Sequence, residues 1–196
     1  RAIAFGPDGH LYVNSGATDQ VLKYDGHTGA FLGIAAGGAG MDGPVGLAFG
    51  PGGNLYIGAA LNNRVYVFSP SGVFLRNFFC GGSFSASVGV LFDAGGRLLV
   101  AQSQTNNVLA FDPLTDACLG VVASGGGLNI PIHMILAPDG NLLVGSFGND
   151  SVLKYDSSTG LPIGAFVPSG LGGLDGTHNF AFMPDVPVPA MSSWGI

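Results

Sequence analysis

Four turns set at a constant interval constrain this chain more than any other feature. Pro7-Asp8-Gly9, Pro51-Gly52-Gly53, Ala94-Gly95-Gly96 and Pro138-Asp139-Gly140 end on glycines 44, 43 and 44 residues apart. Each turn follows a short apolar run, such as Ile3-Ala4-Phe5 or Leu47-Ala48-Phe49, and precedes another, such as Leu11-Tyr12-Val13 or Leu55-Tyr56-Ile57. Two such runs across a glycine turn read as a β-hairpin, and the hairpin occurs four times. A polar loop leads into a third run (21–24, 65–68, 108–111, 152–155), and a second turn leads into a fourth, such as 31–35 or 74–79. The interval therefore predicts a repeated unit of four antiparallel strands.

Four strands in one such interval match a blade of a β-propeller. A blade lies between two others, so its strands should be apolar on both sides, which fits the continuous apolar runs. A β-solenoid uses shorter coils with parallel strands, and tight Pro-Asp-Gly hairpins demand antiparallel ones. The predicted class is an all-β propeller of four-stranded antiparallel blades. Its repeats fall at about 1–42, 43–86, 87–130 and 131–174, with a partial fifth at 175–185 and a proline-rich linker at 186–196. Composition points the same way. Glycine takes 35 of 196 positions, all twelve acidic residues are aspartate, and charged residues make up 9%. A chain without glutamate and rich in Gly and Asp favours turns over helices. The glycines lack the collagen period, and 47% apolar content exceeds what a disordered chain carries. A net charge of -6 with six basic residues offers no footprint to a nucleic acid. Gly, Pro, Asn or Asp interrupts every apolar run, so no membrane-spanning helix is expected. The start at Arg1, already inside a strand-like run, suggests a processed or partial chain.

The strings Gly6-Pro7-Asp8-Gly9-His10-Leu11-Tyr12-Val13 and Val152-Leu153-Lys154-Tyr155-Asp156-Ser157-Ser158-Thr159-Gly160 resemble the NHL-type repeats of secreted bacterial propellers. The resemblance covers about residues 1–185 and implies the propeller fold. NHL-like propellers include scaffolds and binders as well as lyases and lactonases, so the resemblance selects no single activity. Val188, Pro189, Ser192, Trp194 and Gly195 are similar to the start of bacterial C-terminal sorting signals, while Ala190, Met191 and Ser193 depart from that pattern. That resemblance implies an exported, surface-associated protein.

In a propeller the first strand of each blade lines the central channel, which makes Ala2, Gly46, Gly89, His133 and Asn179 the column where a ligand would be met. His133 and His178, on adjacent inner strands, are the candidate catalytic pair, able to hold a metal or to act as base and orienter. Lyases and amidating enzymes of this shape resemble this in placing histidines at such positions. The rest of the ring carries no third ligand or general acid, so no cofactor is expected; zinc or calcium is possible but not required. His10 and His27 read as solvated turn residues. Asp25, Asp112 and Asp156 follow the third strand, where an Asx side chain caps a turn. Asn149-Asp150-Ser151 satisfies a glycosylation sequon, but the equivalent loops carry Asn62-Asn63 and Asn106-Asn107 without one, so turn chemistry is the expected reason for it. In the repeat frame Cys80 lies six positions beyond Cys118. At ~3.3 Å per residue this separates them by roughly 20 Å along a strand, so both are expected to be free, buried thiols.

Residues 177–185 repeat the first-strand pattern of residues 1–8, which leaves one first strand surplus. It should find a partner, because an unpaired strand exposes a row of backbone donors and acceptors. Phe180, Phe182, Ile3 and Phe5 are the expected closure residues. The segment can displace residues 2–5 to close a four-bladed ring, join further blades upstream, or add to a neighbouring subunit. With 18 charged residues in 196, the surface has little charge repulsion against self-association. The expected function is an exported, non-enzymatic scaffold or binding module that associates with itself at the cell surface or in an extracellular assembly. The alternative is a lyase or lactonase-type enzyme using His133 and His178.

Overall fold

The computed structural model describes residues 2–81 and 86–181. Among them, sixteen strands form four antiparallel sheets of four, each in simple chain order. Blade 1 holds β1 (Ile3–Phe5), β2 (Leu11–Ser15), β3 (Gln20–Tyr24) and β4 (Phe31–Gly37); blade 2 holds β5 (Pro44–Phe49), β6 (Leu55–Ala59), β7 (Arg64–Phe68) and β8 (Phe74–Phe78). Blade 3 holds β9 (Ser87–Phe92), β10 (Leu98–Gln102), β11 (Asn107–Phe111) and β12 (Cys118–Ser124); blade 4 holds β13 (Pro131–Leu136), β14 (Leu142–Ser146), β15 (Ser151–Tyr155) and β16 (Pro162–Val167). The chain is all-β, as the turn interval predicts. The four glycines that set that interval have φ of 76°, 75°, 79° and 80°, a conformation that glycine alone adopts without a steric cost. Each closes a first hairpin in one register, pairing Phe5 with Leu11, Phe49 with Leu55, Phe92 with Leu98 and Leu136 with Leu142.

The core lies between blades. Successive residues of one strand go to opposite clusters, as period-2 geometry requires. Leu55 and Ile57 pack with Tyr12, Val21 and Ala36 of blade 1, while Tyr56 packs with Leu98, Val100 and Phe111 of blade 3. Leu99 and Ala101 then face Met134, Leu142 and Val144 of blade 4. Burying each large apolar side chain stabilises the junction by about 1.5–3 kcal/mol.

A second contact recurs at every junction. The loop between the second and third strands holds Asp19, Asn63, Asn106 or Asp150 in the left-handed region, with φ of 53–55°. Its side-chain oxygen accepts the backbone N–H of the residue that leads into the following first strand: Gly43 at 2.9 Å, Ala86 at 2.6 Å, Ile130 at 2.8 Å and Gly176 at 2.8 Å. Asx residues tolerate this backbone conformation and supply the acceptor.

The outermost strands follow one another head to tail around the rim. The tip before β8 approaches the end of β4, so that a Cβ on Gly72 would lie 2.7 Å from the Ala35 carbonyl oxygen. Arg76 of β8 donates from Nε to the Asp116 carboxylate at the tip before β12, at 2.6 Å. This arrangement corrects the reading of the cysteines. Cys80, just past β8, and Cys118, the first residue of β12, form a disulfide with their Cα atoms 5.6 Å apart. The repeat frame measures distance along one strand axis, whereas the end of one outer strand abuts the start of the next.

Ile3, Phe5, Phe31 and Ile34 lie exposed on the face of blade 1 that turns away from blade 2. Residues 3–5 keep their place beside β2, so the displacement that would close a four-bladed ring does not occur. The surplus segment instead lies against blade 4: Phe180 is half-buried on Leu143 and Val152, and Thr177 donates from Oγ1 to the Ser151 carbonyl at 3.2 Å. Phe182 lies outside the described residues.

Candidate functional site

The five column residues Ala2, Gly46, Gly89, His133 and Asn179 all line one cavity of about 610 Å³ on the inner side of the arc, and His178 lines it too. The glycines there are required by the close approach of inner strands. A Cβ on Gly46 would lie 2.2 Å from the Val88 carbonyl oxygen, and one on Gly89 would lie 2.4 Å from that of Ile132. Backbone meets backbone at those two junctions, which is why the ring carries no side chain there.

His133 stands at the same position of blade 4, where an imidazole takes the place of direct backbone contact. Its Nε2 lies 3.1 Å from the Phe180 carbonyl oxygen, and since a carbonyl only accepts, Nε2 carries the proton. The Phe180 ring stands edge-on to the imidazole, with centroids 5.1 Å apart and planes at 87°. Burial pushes the His133 pKa below its usual value, against the hydrogen bond to Phe180, which favours the proton. His178 is exposed and rests on the Phe147 ring, centroids 4.8 Å apart. The two histidines thus share the cavity wall, but each has its own partner. Among the described residues, no three His, Cys, Asp or Glu groups come together as a metal site.

The aspartates serve their own turns. Asp25 Oδ1 accepts the backbone N–H groups of Thr28 at 2.8 Å and His27 at 3.1 Å, and the bonds from Thr28 foremost hold its pKa down at about 2. Asp156 is held at about 2 by the Ser158 hydroxyl and the Thr159 N–H. Asp112 accepts from Leu114 at 2.8 Å and is lowered for the same reason. Asn149, the would-be glycosylation residue, donates from Nδ2 to the Gly127 carbonyl at 2.7 Å. His10 is half-buried, its Nδ1 accepting the Gly26 N–H at 3.4 Å, so it is less solvated than expected, while His27 is exposed. The Asx bond between blades was missed. Its signal was present as an Asp or Asn at the centre of each polar loop.

Comparison with protein-family models gives no match, and comparison with curated proteins gives none. Solved structures do resemble the chain. Virginiamycin B lyase from Staphylococcus aureus matches with a TM-score of 0.68 and 14% identity over 80% of this chain and 52% of that one. Kuenenia stuttgartiensis hydrazine synthase matches with a TM-score of 0.70 and 21% identity, over 85% and 48%. A provisional gluconolactonase matches with a TM-score of 0.70 and 14% identity, over 85% and 63%. The chain spans about half the length of the lyase and of the synthase. At these identities the likeness concerns the fold, and with the four repeated sheets it makes the chain a repeat β-propeller of four-stranded antiparallel blades.

Proposed function

We propose that this chain is an exported, non-enzymatic scaffold or binding module of NHL-like blades that associates with itself. The observation that carries this reading is the engagement of His133: its Nε2–H is given to the Phe180 carbonyl, so the best-placed titratable group of the cavity holds backbone in position. The Cys80–Cys118 disulfide supports export, since such bonds persist in oxidising compartments. The sorting-signal resemblance at residues 188–195, outside the described residues, points the same way.

The lyase or lactonase-type reading keeps one specific support: His133 and His178 line the same cavity, in a fold shared with virginiamycin B lyase and the provisional gluconolactonase. Metal analysis of the purified protein decides between the two. The scaffold reading expects no stoichiometric zinc or calcium. Stoichiometric metal in the wild type that disappears in the His133→Ala, His178→Ala double variant overturns it.

A further inference from the structure

We propose that the Arg76–Asp116 pair is a latch for the native disulfide: it closes the rim between blades 2 and 3 before oxidation and sets Cys80 against Cys118. It does so whether the chain is a scaffold or an enzyme.

The repeat shows both residues to be exceptions at positions that glycine otherwise holds. On the outer strands Gly33, Gly120 and Gly164 pair with Lys23, Ala110 and Lys154, the fourth residue of each third strand. In blade 2 that fourth residue is Val67, and it pairs with Arg76. At the tip before the outer strand Gly29, Gly72 and Gly160 have φ of 72°, 79° and 73°, and in blade 3 Asp116 takes the same place at φ 58°. Each of these four donates its N–H to the carbonyl of the residue that opens the tip, Asp25, Ser69, Asp156 or Asp112. A side chain in that conformation carries a steric cost that glycine avoids. The junctions on either side have glycine at both places, Gly33 with Gly72 and Gly120 with Gly160. Two departures from the repeat, one on each blade, therefore fall at a single junction.

They meet there as charges. Arg76 is the one charged residue on β4, β8, β12 and β16. Its Nε donates to Asp116 Oδ2 at 2.6 Å and its Nη2 to the Pro113 carbonyl at 2.8 Å, so a guanidinium of blade 2 grips the tip of blade 3 at two points. Charge-assisted bonds of this kind fix orientation as well as separation. The other carboxylate oxygen, Asp116 Oδ1, is buried with no partner among the described residues. An unpaired buried oxygen detracts from stability, so stability alone is a poor reason for the pair. Position supplies a better one. Arg76 lies four residues before Cys80 and Asp116 two before Cys118, and the disulfide crosses the same junction with Cα atoms 5.6 Å apart. The core of Tyr56, Phe78 and Phe111 brings the two sheets face to face, but both cysteines lie at its margin, only partly buried. The latch fixes that margin.

Oxidation by a small disulfide, such as oxidised glutathione, proceeds in two exchanges. One cysteine thiolate attacks the reagent and releases the first small thiol; the second thiolate then attacks the protein sulfur of the mixed disulfide and releases the other. The chain loses two S–H bonds and gains one S–S bond, and the reagent takes up both electrons and both protons. The second exchange is intramolecular, so it is governed by how often the two sulfurs stand in register. The latch acts on that step.

Glutathione redox buffers read this out in the full chain as the effective concentration of one thiol at the other. Arg76→Met, which keeps the apolar stem, and Asp116→Gly, which restores the residue of the other three tips, should each lower it about tenfold. The double variant should fall no further than either single one, because each removes the same pair. Salt at about 1 M should lower the wild-type value towards that of the variants and leave theirs unchanged. Coupling is reciprocal, so each substitution should also cost more Tm in the oxidised chain than in the reduced one. An effective concentration unchanged in both variants overturns the latch. So do equal losses of Tm in the oxidised and reduced chains, which mark ordinary stabilisation, and a double variant whose loss compounds those of the single ones.

Discussion

Asp150 and His133 hold the same short segment by different means, and the difference has a pH signature. Asp150 accepts the Gly176 N–H, a contact present at all four equivalent loops. His133 donates to the Phe180 carbonyl and occurs once. Its folded pKa lies below the ordinary 6.5, because burial disfavours the charged ring. A histidine of this kind binds its proton more readily in the unfolded chain, so the stability it contributes is present above pH 6.5 and is lost as pH falls through the folded value. The turn carboxylates respond lower down. Asp25, Asp139 and Asp156 sit at about 2, below the usual 3.8, so what they contribute is present above pH 3.8 and is lost towards pH 2. Thermal melts of the wild type should therefore show a first loss of Tm beginning just below pH 6.5 and a second below pH 4. His133→Gln, which keeps a donor and cannot titrate, should abolish the first and leave the second. Retention of the first loss in that variant would assign it elsewhere. The sequence placed His133 at the inner-strand column but could not show its partner, because Phe180 lies 47 residues on and meets it only through the docking of the surplus segment.

At the scale of elements, the outer strand of each blade carries the information that the repeat frame lost. In every blade a bulge near the start of that strand leaves an aliphatic residue out of the ladder, Leu32, Leu75, Leu119 or Ile163, and in blades 1, 3 and 4 a second irregularity leaves out Ala35, Val122 or Phe166. Bulges bend an edge strand and blunt its capacity to pair with other chains. The hairpins and the strand order were legible, since turn glycines and apolar runs are local signals. Contacts between blades depend on how sheets are set side by side, and the position of Cys118 relative to Cys80 is of that kind. The disulfide closes a loop across a separation of 38 residues and should stabilise the array by about 4 kcal/mol through loss of unfolded-chain entropy. Reduction, or the Cys80→Ser, Cys118→Ser pair, should lower Tm on the order of 10 °C. An unchanged Tm under a reductant that demonstrably yields two thiols would refute the bond as a staple.

For the whole molecule, the disulfide has a consequence when the chain is pulled. Blades joined mainly to their neighbours come apart one at a time, so an arc stretched from its two ends yields from the terminal blades inward. The crosslink joins the end of blade 2 to the outer strand of blade 3, and it encloses β9, β10 and β11. Load therefore passes from Cys80 to Cys118 directly and bypasses those three strands. In single-molecule extension the oxidised chain should fall short of its full contour length by about 130 Å, the reach of the enclosed residues, and reductant should release that length in the same molecule. If the oxidised and reduced chains extend equally, the load does not cross the sulfurs. A surface-held protein built this way would meet shear with its middle locked, and would lengthen only at its ends.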